Sequence, residues 1–188
     1  NADSRATAIL NLYSFSAALF MSTLYPFLFC LQDITKKDGT RRNLDETSTR
    51  RYADKFVLPK PSYPSSENLS EDGLVLLVAG LDMYFWIGRK VNRTILQQLF
   101  GMFDLPTSSR RLNRVDFHRR ENDLSQRIHN IIDCVKRRLY TNVNRFRTHI
   151  VLQSEEINKS SDSDLEQEFL SRLIEDKTKH GMSHVEML

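Results

Sequence analysis

The chain has 188 residues, 40% hydrophobic and 27% charged, which are proportions of folded domains and exclude wholesale disorder; one domain plus an appendage is expected. The formal charge of +3 is unevenly placed: residues 153–188 hold nine acidic against four basic side chains, net −5, which leaves +8 on residues 1–152. A basic body with an acidic C-terminal part bears on partners rather than on fold. Cys30 and Cys134 stand far apart inside apolar stretches, so neither a disulfide framework nor a C-x-x-C metal pair is present, and a reducing compartment is expected.

Ala6 to Leu31 contains no charged side chain, and on length alone it is a candidate to cross a membrane. Asn11, Ser14 and Ser22, with Ala18, fall on one side of a helical wheel, while Ile9, Leu12, Tyr13, Leu19, Phe20 and Leu24 fall elsewhere. Those polar groups and the break at Pro26 favour a buried helix instead, followed by a short strand from Phe27 to Leu31. No basic n-region precedes the run, which disfavours a signal peptide. Thr35 to Ser66 then turns polar, with Asp38, Gly39, Arg41, Arg42, Arg50 and Arg51 before Pro59, Pro61 and Pro64. A long loop is predicted, mobile at first and extended near the prolines.

Gly73 to Gly101 is the organising stretch. Leu74–Val78 and Met83–Ile87 are rich in β-branched and aromatic residues and are separated by Ala79, Gly80, Leu81 and Asp82, a hairpin signal. Gly80 supplies the positive φ of a tight connection, and Asp82 is expected to bond back to the turn backbone. Because Leu74–Val78 is apolar on both faces, it is predicted to lie centrally in a sheet covered on both sides. After Gly88 the period becomes helical: Asn92 caps, Ile95, Leu96, Leu99 and Phe100 form a stripe, and Gly101 stands where a left-handed residue ends the helix.

From Phe103 to Arg120 the chain is basic and irregular, around a short strand at Leu112–Phe117. Arg110, Arg111, Arg119 and Arg120 are candidates for contact with an acidic surface, weighed against a solvated loop, since no stacking platform or nucleic-acid motif accompanies them. A helix follows, capped by Asn122 or Asp123, with Leu124, Ile128, Ile131, Ile132, Val135 and Leu139 as its stripe and Lys136, Arg137 and Arg138 at its C-terminal end. His129 on that helix reads as a packing or surface residue. His149–Leu152 is a further strand. Ser163 and Glu166 have capping-box spacing ahead of a helix with Leu165, Phe169, Leu173 and Ile174 on one face, Glu168/Arg172 and Glu175/Lys179 as i,i+4 pairs, and Gly181 as its end.

No catalytic constellation emerges. His180 and His184 are four apart, but Gly181 lies between them and the glutamate of H-E-x-x-H is missing; no G-x-S-x-G, G-x-x-x-x-G-K-[ST] or G-x-G-x-x-G occurs. The residues alone describe a mixed α/β domain without an enzymatic site.

Four ordered blocks carry a resemblance: LPKPSYPSSENLSEDGLVLLVAGLDMYFWIGRKV, LFG, NDLSQRIHNII and FLSRLIEDKTKHGMSHVEML. The chain resembles the C-terminal end of the cargo-adaptor subunit of the COPII inner coat, the Sec-twenty-four type. Trp86-Ile87-Gly88 in the hairpin is also the signature of gelsolin-like repeats, shared with actin-severing proteins. The resemblance implies an α/β (α+β) fold, a gelsolin-like mixed β-sheet flanked by helices. It further implies that residues 1–24 are the end of an all-helical domain and residues 25–188 the gelsolin-like domain, with the long polar loop at 35–66.

By the same resemblance the segment is a non-enzymatic scaffold or docking domain in ER-to-Golgi transport, at the cytosolic face of the endoplasmic reticulum and on coated vesicles. Its implied partners are the coat's GTPase-activating subunit and, through parts outside this segment, cargo membrane proteins, with peripheral membrane association and no nucleic acid. No cofactor is implied, because the family's zinc ribbon lies elsewhere. The alternative is an actin-binding gelsolin-like module. Gln32-Asp33 stands where the family has His-Asp, and the insert 38–55 is longer and more basic than the family pattern. Actin-severing repeats carry an acidic residue on the helix after W-x-G; here Thr94, Gln97 and Gln98 occupy that helix, so no calcium site is implied.

Overall fold

Four strands form one sheet among the described residues, which are 17–42, 55–105, 117–139, 146–153 and 162–173 of a computed structural model. The order in space is that of the chain: β1 (Phe27–Cys30), β2 (Leu74–Ala79), β3 (Asp82–Ile87) and β4 (Arg147–Leu152). The first three are antiparallel neighbours and β4 runs parallel to β3, so the sheet is mixed. The hairpin turn is tighter than the sequence implies. Ala79 pairs with Asp82, which leaves a two-residue connection, and Gly80 takes φ +61° at its first position.

Every residue of β2 and β3 is buried, as the apolar runs predict. Alternation splits them between two cores. Leu74, Leu76, Val78, Met83, Phe85 and Ile87 face one, beneath α2 (Arg93–Phe100) and α3 (Asp123–Leu139). Val75, Leu77, Tyr84 and Trp86 face the other, beneath α4 (Asp162–Ser171), which contributes Phe169. Each such side chain, fully buried, is worth about 1.5–3 kcal/mol of transfer free energy, so the hairpin is the energetic centre of the fold.

The helix ends follow the cap residues. Asn92 Oδ1 accepts from the Thr94 N–H at 2.8 Å, and Gly101 closes α2 at φ +70°. Of the two cap candidates for α3 it is Asn122 that acts, its Oδ1 accepting from the Ser125 N–H at 2.8 Å. α4 runs Asp162–Ser171, and the side chain of Ser163, the expected cap, falls outside what the structure describes. Gly181 and the helix expected near Ser183 fall outside the described residues, as do His180 and His184.

One further expectation is corrected. The region after β1 is not free chain. The Asp38 carboxylate accepts from the Thr35 N–H and hydroxyl at 2.7 and 2.8 Å, Arg127 of α3 donates to the Thr35 carbonyl at 2.8 Å, and Asn130 donates to the Gly39 carbonyl at 2.9 Å. Backbone bonds Gly39 N to Val57 O, Val57 N to Thr40 O and Arg42 N to Lys55 O, at 2.8, 3.0 and 2.8 Å, then clamp the stem of the insert. Replacing residues 43–54 by Asn-Gly is therefore expected to leave stability within about 1 kcal/mol, because loop length enters only logarithmically. Urea denaturation checks this; a loss of several kcal/mol would show that the insert holds the fold.

The helical wheel leaves open which side of α1 (Ala17–Leu24) turns inward. The helix buries Leu19 and Ser22, whose hydroxyl donates to its own Leu19 carbonyl at 2.7 Å, and turns Leu24 outward. A hydroxyl satisfied within the helix can be buried at little cost, so Ser22 turns inward beside Leu19. No described helix is long and apolar enough to cross a membrane.

Candidate functional site

The basic segment ahead of α3 supplies the sequence-derived candidates. Arg120 turns to the C-terminus of α2: its Nε donates to the Leu99 carbonyl at 3.2 Å and its Nη2 to the Phe100 carbonyl at 2.9 Å, while its backbone N–H donates to Ser125 Oγ at 3.0 Å. A guanidinium here satisfies carbonyls that the helix leaves open. Arg119 donates to Asn130 Oδ1 and to Asp133 Oδ2, each at 3.0 Å, and thereby ties the segment to α3. Both guanidiniums are thus bonded within the fold, and Arg110 and Arg111 lie outside the described residues. Arg120→Ala is expected to cost about 1–3 kcal/mol, the range for lost hydrogen bonds to a charged group, read from thermal or urea unfolding; an unchanged midpoint would refute the capping role.

Phe117 and His129 complete this corner. Their rings stack at 4.7 Å between centroids and 15° between planes. Nδ1 of His129 donates to the Ser125 carbonyl at 2.8 Å, and its Nε2 is buried with no partner. Burial holds the imidazole below its usual pKa of 6.5. The folded state therefore binds this proton less readily than the unfolded chain, and the contribution is fully present above pH 6.5 and lost as the pH falls from there through the folded value. Urea midpoints should drop between pH 7.5 and pH 5.5, and His129→Gln should flatten that slope. A midpoint that rose on acidification would contradict the assignment.

A second polar cluster lies across the sheet at the hairpin end. Asp82 does not bond back to its turn. Parallel pairing sets Arg147 opposite it, and the two meet through Nε to Oδ1 and Nη2 to Oδ2, both at 2.8 Å, while His149 Nε2 lies 3.0 Å from Oδ1. Burial alone would raise the Asp82 carboxyl, but the hydrogen bonds from His149 and Arg147 outweigh it, and the group titrates below its usual range. Beside it Tyr84 stacks on His149 at 4.8 Å and donates its hydroxyl to Glu168 of α4 at 2.7 Å. Burial and that bond push the phenol up, so it stays a donor. The cluster pins β4 and α4 to β3. At the opposite end of β3, Glu71 meets Arg89 and Lys90, and the Gln32 side chain accepts from the Leu74 N–H at 3.0 Å. These are framework interactions.

What the sequence did not reveal is a surface. Met21, Leu24, Tyr25 and Phe27 are exposed at 49%, 53%, 61% and 36%, and Tyr63 at 50%. Ser62 bonds to Leu28 as an antiparallel bridge, which sets Tyr63 alongside Phe27. The uncharged run from Ala6 to Leu31 was its only trace in the residues.

A central two-sided hairpin bearing Trp86-Ile87-Gly88, a capped helix after it and a parallel strand beyond define a gelsolin-like domain, and the gelsolin repeat family model matches residues 55–106. The wider match is to one family. The protein transport protein SEC24 of Kluyveromyces lactis is 29% identical over 197 residues, spanning 100% of this chain and 20% of that protein. SEC24 C of Arabidopsis thaliana is 26% identical over 186 residues, spanning 99% and 15%. The crystal structure of the human COPII-coat protein Sec24c superimposes with a TM-score of 0.53 at 20% identity, covering 88% of this chain and 18% of that one, a likeness of fold. Along its whole length the chain is similar to Sec24 proteins, and it spans about a fifth of the length of curated relatives such as that of Kluyveromyces lactis.

Proposed function

We propose that this segment is a non-enzymatic scaffold and docking domain of a COPII vesicle-coat cargo adaptor, serving ER-to-Golgi protein transport from the cytosolic face of the endoplasmic reticulum. The observation that carries the reading is the match to SEC24 proteins along the whole chain rather than along the repeat alone. The fold fits it: the polar clusters at Asp82, Arg120 and Glu71 join elements to one another, as a rigid module requires. The partner of the whole protein is then the GTPase-activating subunit of the inner coat, and cargo is gathered by parts outside this segment, which needs neither a cofactor nor nucleic acid. Since Arg119 and Arg120 are engaged in the framework, contact with an acidic surface falls to Arg110 and Arg111, and reversing their charge should weaken binding of the protein to anionic vesicles at low salt.

Affinity purification of the full-length protein tests the reading. The GTPase-activating coat subunit should accompany it, and its absence would remove the coat assignment. The repeat match at residues 55–106 supports a second reading, an actin-binding module. Cosedimentation with actin filaments, with and without calcium, decides between them.

A further inference from the structure

We propose that the stem of the insert after β1 is a docking site for an acidic peptide segment of a partner protein, held by Lys36, Lys37, Arg41 and Arg42. All four residues are exposed, and they stand within seven positions of one another.

The fold makes no use of these charges. Elsewhere Lys90 meets Glu71, Arg93 meets Asp104, Arg119 meets Asp133 and Arg147 meets Asp82, whereas no carboxylate among the described residues meets any of the four. Asp38, the acid between them in the chain, is 9% exposed and turns its carboxylate to Thr35. Asp33, three residues ahead of Lys36, is exposed and offsets one charge at most. Like charges gathered this closely repel one another, yet the stem cannot spread them, because Gly39, Thr40 and Arg42 are bonded to Val57 and Lys55, and α3 holds Thr35 and Gly39 through Arg127 and Asn130. The cations are therefore held in place before any partner arrives, and a preorganised site loses little entropy on binding.

Guanidinium groups pair with carboxylates and phosphates alike, and the geometry of the stem selects between their sources. Arg41 bridges Phe56 in an antiparallel pair, and the Arg42 N–H donates to the Lys55 carbonyl at 2.8 Å. Successive side chains of an extended segment point to opposite sides, so Arg41 and Arg42 flank the ribbon and cannot both lie on one flat bilayer. A flexible peptide crossing the edge of the ribbon reaches both. Apolar anchors that would enter a bilayer are missing too, since none of the exposed large hydrophobic residues among those described falls in 33–42 or 55–60. The same absence removes the aromatic platform on which single-stranded nucleic acid stacks.

Fluorescence anisotropy of a fluorescein-labelled polyglutamate peptide, titrated with the full-length protein at about 0.1 M salt where the Debye length is about 10 Å, tests this. Reversing the four charges together, Lys36→Glu, Lys37→Glu, Arg41→Glu and Arg42→Glu, should weaken binding about tenfold or more, the effect of several surface ion pairs lost at once. Glutamine at the same four positions removes charge without adding repulsion and should lower affinity in the same direction, which separates lost binding from a folding defect in the reversed protein. Replacing residues 43–54 by Asn-Gly keeps the stem and should leave binding unchanged. Arg137→Glu with Arg138→Glu, exposed positions toward the C-terminal end of α3, should leave it within about twofold, because the stem lies beyond the reach of screened charge. The proposal is overturned if the stem variants bind the peptide as the unaltered protein does, if the 43–54 replacement abolishes binding, or if the Arg137 and Arg138 reversal costs as much as that of the stem. Reversal that weakened binding to phosphatidylserine vesicles or to a single-stranded oligonucleotide more than to the peptide would overturn it as well.

Discussion

Leu76→Ala and Leu77→Ala, neighbours on β2 that point to opposite faces of the sheet, are each expected to destabilise the protein by about 2–5 kcal/mol, the range for emptying a buried leucine site. Both side chains are 0% exposed, one in the core beneath α2 and α3 and the other in the core beneath α4. A strand at the rim, or one with a single covered face, would show the cost at one of the two positions only. Trp86 is the chain's single tryptophan and is 2% exposed, so its fluorescence follows unfolding without a label. The pair of variants thus measures the thickness of cover on each side of the hairpin. A cost below about 1 kcal/mol at either position would be that of a surface site and would contradict the two-layer arrangement.

Gly88→Ala is expected to cost about 1–3 kcal/mol or more, as overpacking against backbone does. A Cβ at Gly88 would overlap the Glu71 carbonyl and crowd the Ser70 carbonyl, and neither can rotate away as a side chain can. The close approach is built by the ladder at the end of β3, where the Gly88 N–H donates to the Gly73 carbonyl at 2.9 Å and the Lys90 N–H to the Glu71 carbonyl at 2.6 Å. Relieving the overlap would pull the Ser70–Gly73 turn off the strand and open both bonds. Trp86-Ile87-Gly88 therefore ends in glycine because another segment of backbone lies where a side chain would be. Thermal unfolding of the variant reads the cost, and an unchanged midpoint would place the turn elsewhere.

Elements whose causes are local were legible from the residues. The hairpin runs, the Asn92 cap, the Gly101 stop and the stripe of α3 each depend on side chains within a turn or two of one another, and each appears in the structure. Interactions set by distant neighbours were not. Asp82 is bound by Arg147, 65 residues on, because β4 joins β3 in parallel, and that choice of partner leaves no mark near the turn. The polar stretch after β1 looked like free loop because its bonds go to Arg127 and Asn130 of α3, about 90 residues away. The side that α1 turns inward was not legible for a related reason: a wheel shows polar and apolar sides, but not that Ser22 would satisfy its hydroxyl within the helix and leave Met21 and Leu24 outward.

Native-state hydrogen exchange resolved to single amides tests the architecture most directly, because global unfolding alone should release protons held in interior strands. The account places the slowest amides at Val75–Val78 and Met83–Trp86, with rates that track the global stability of variants such as Leu76→Ala. Rapid exchange along either strand would mean that water reaches the hairpin, and the gelsolin-like fold and the Sec24 reading of this chain would lose their common support.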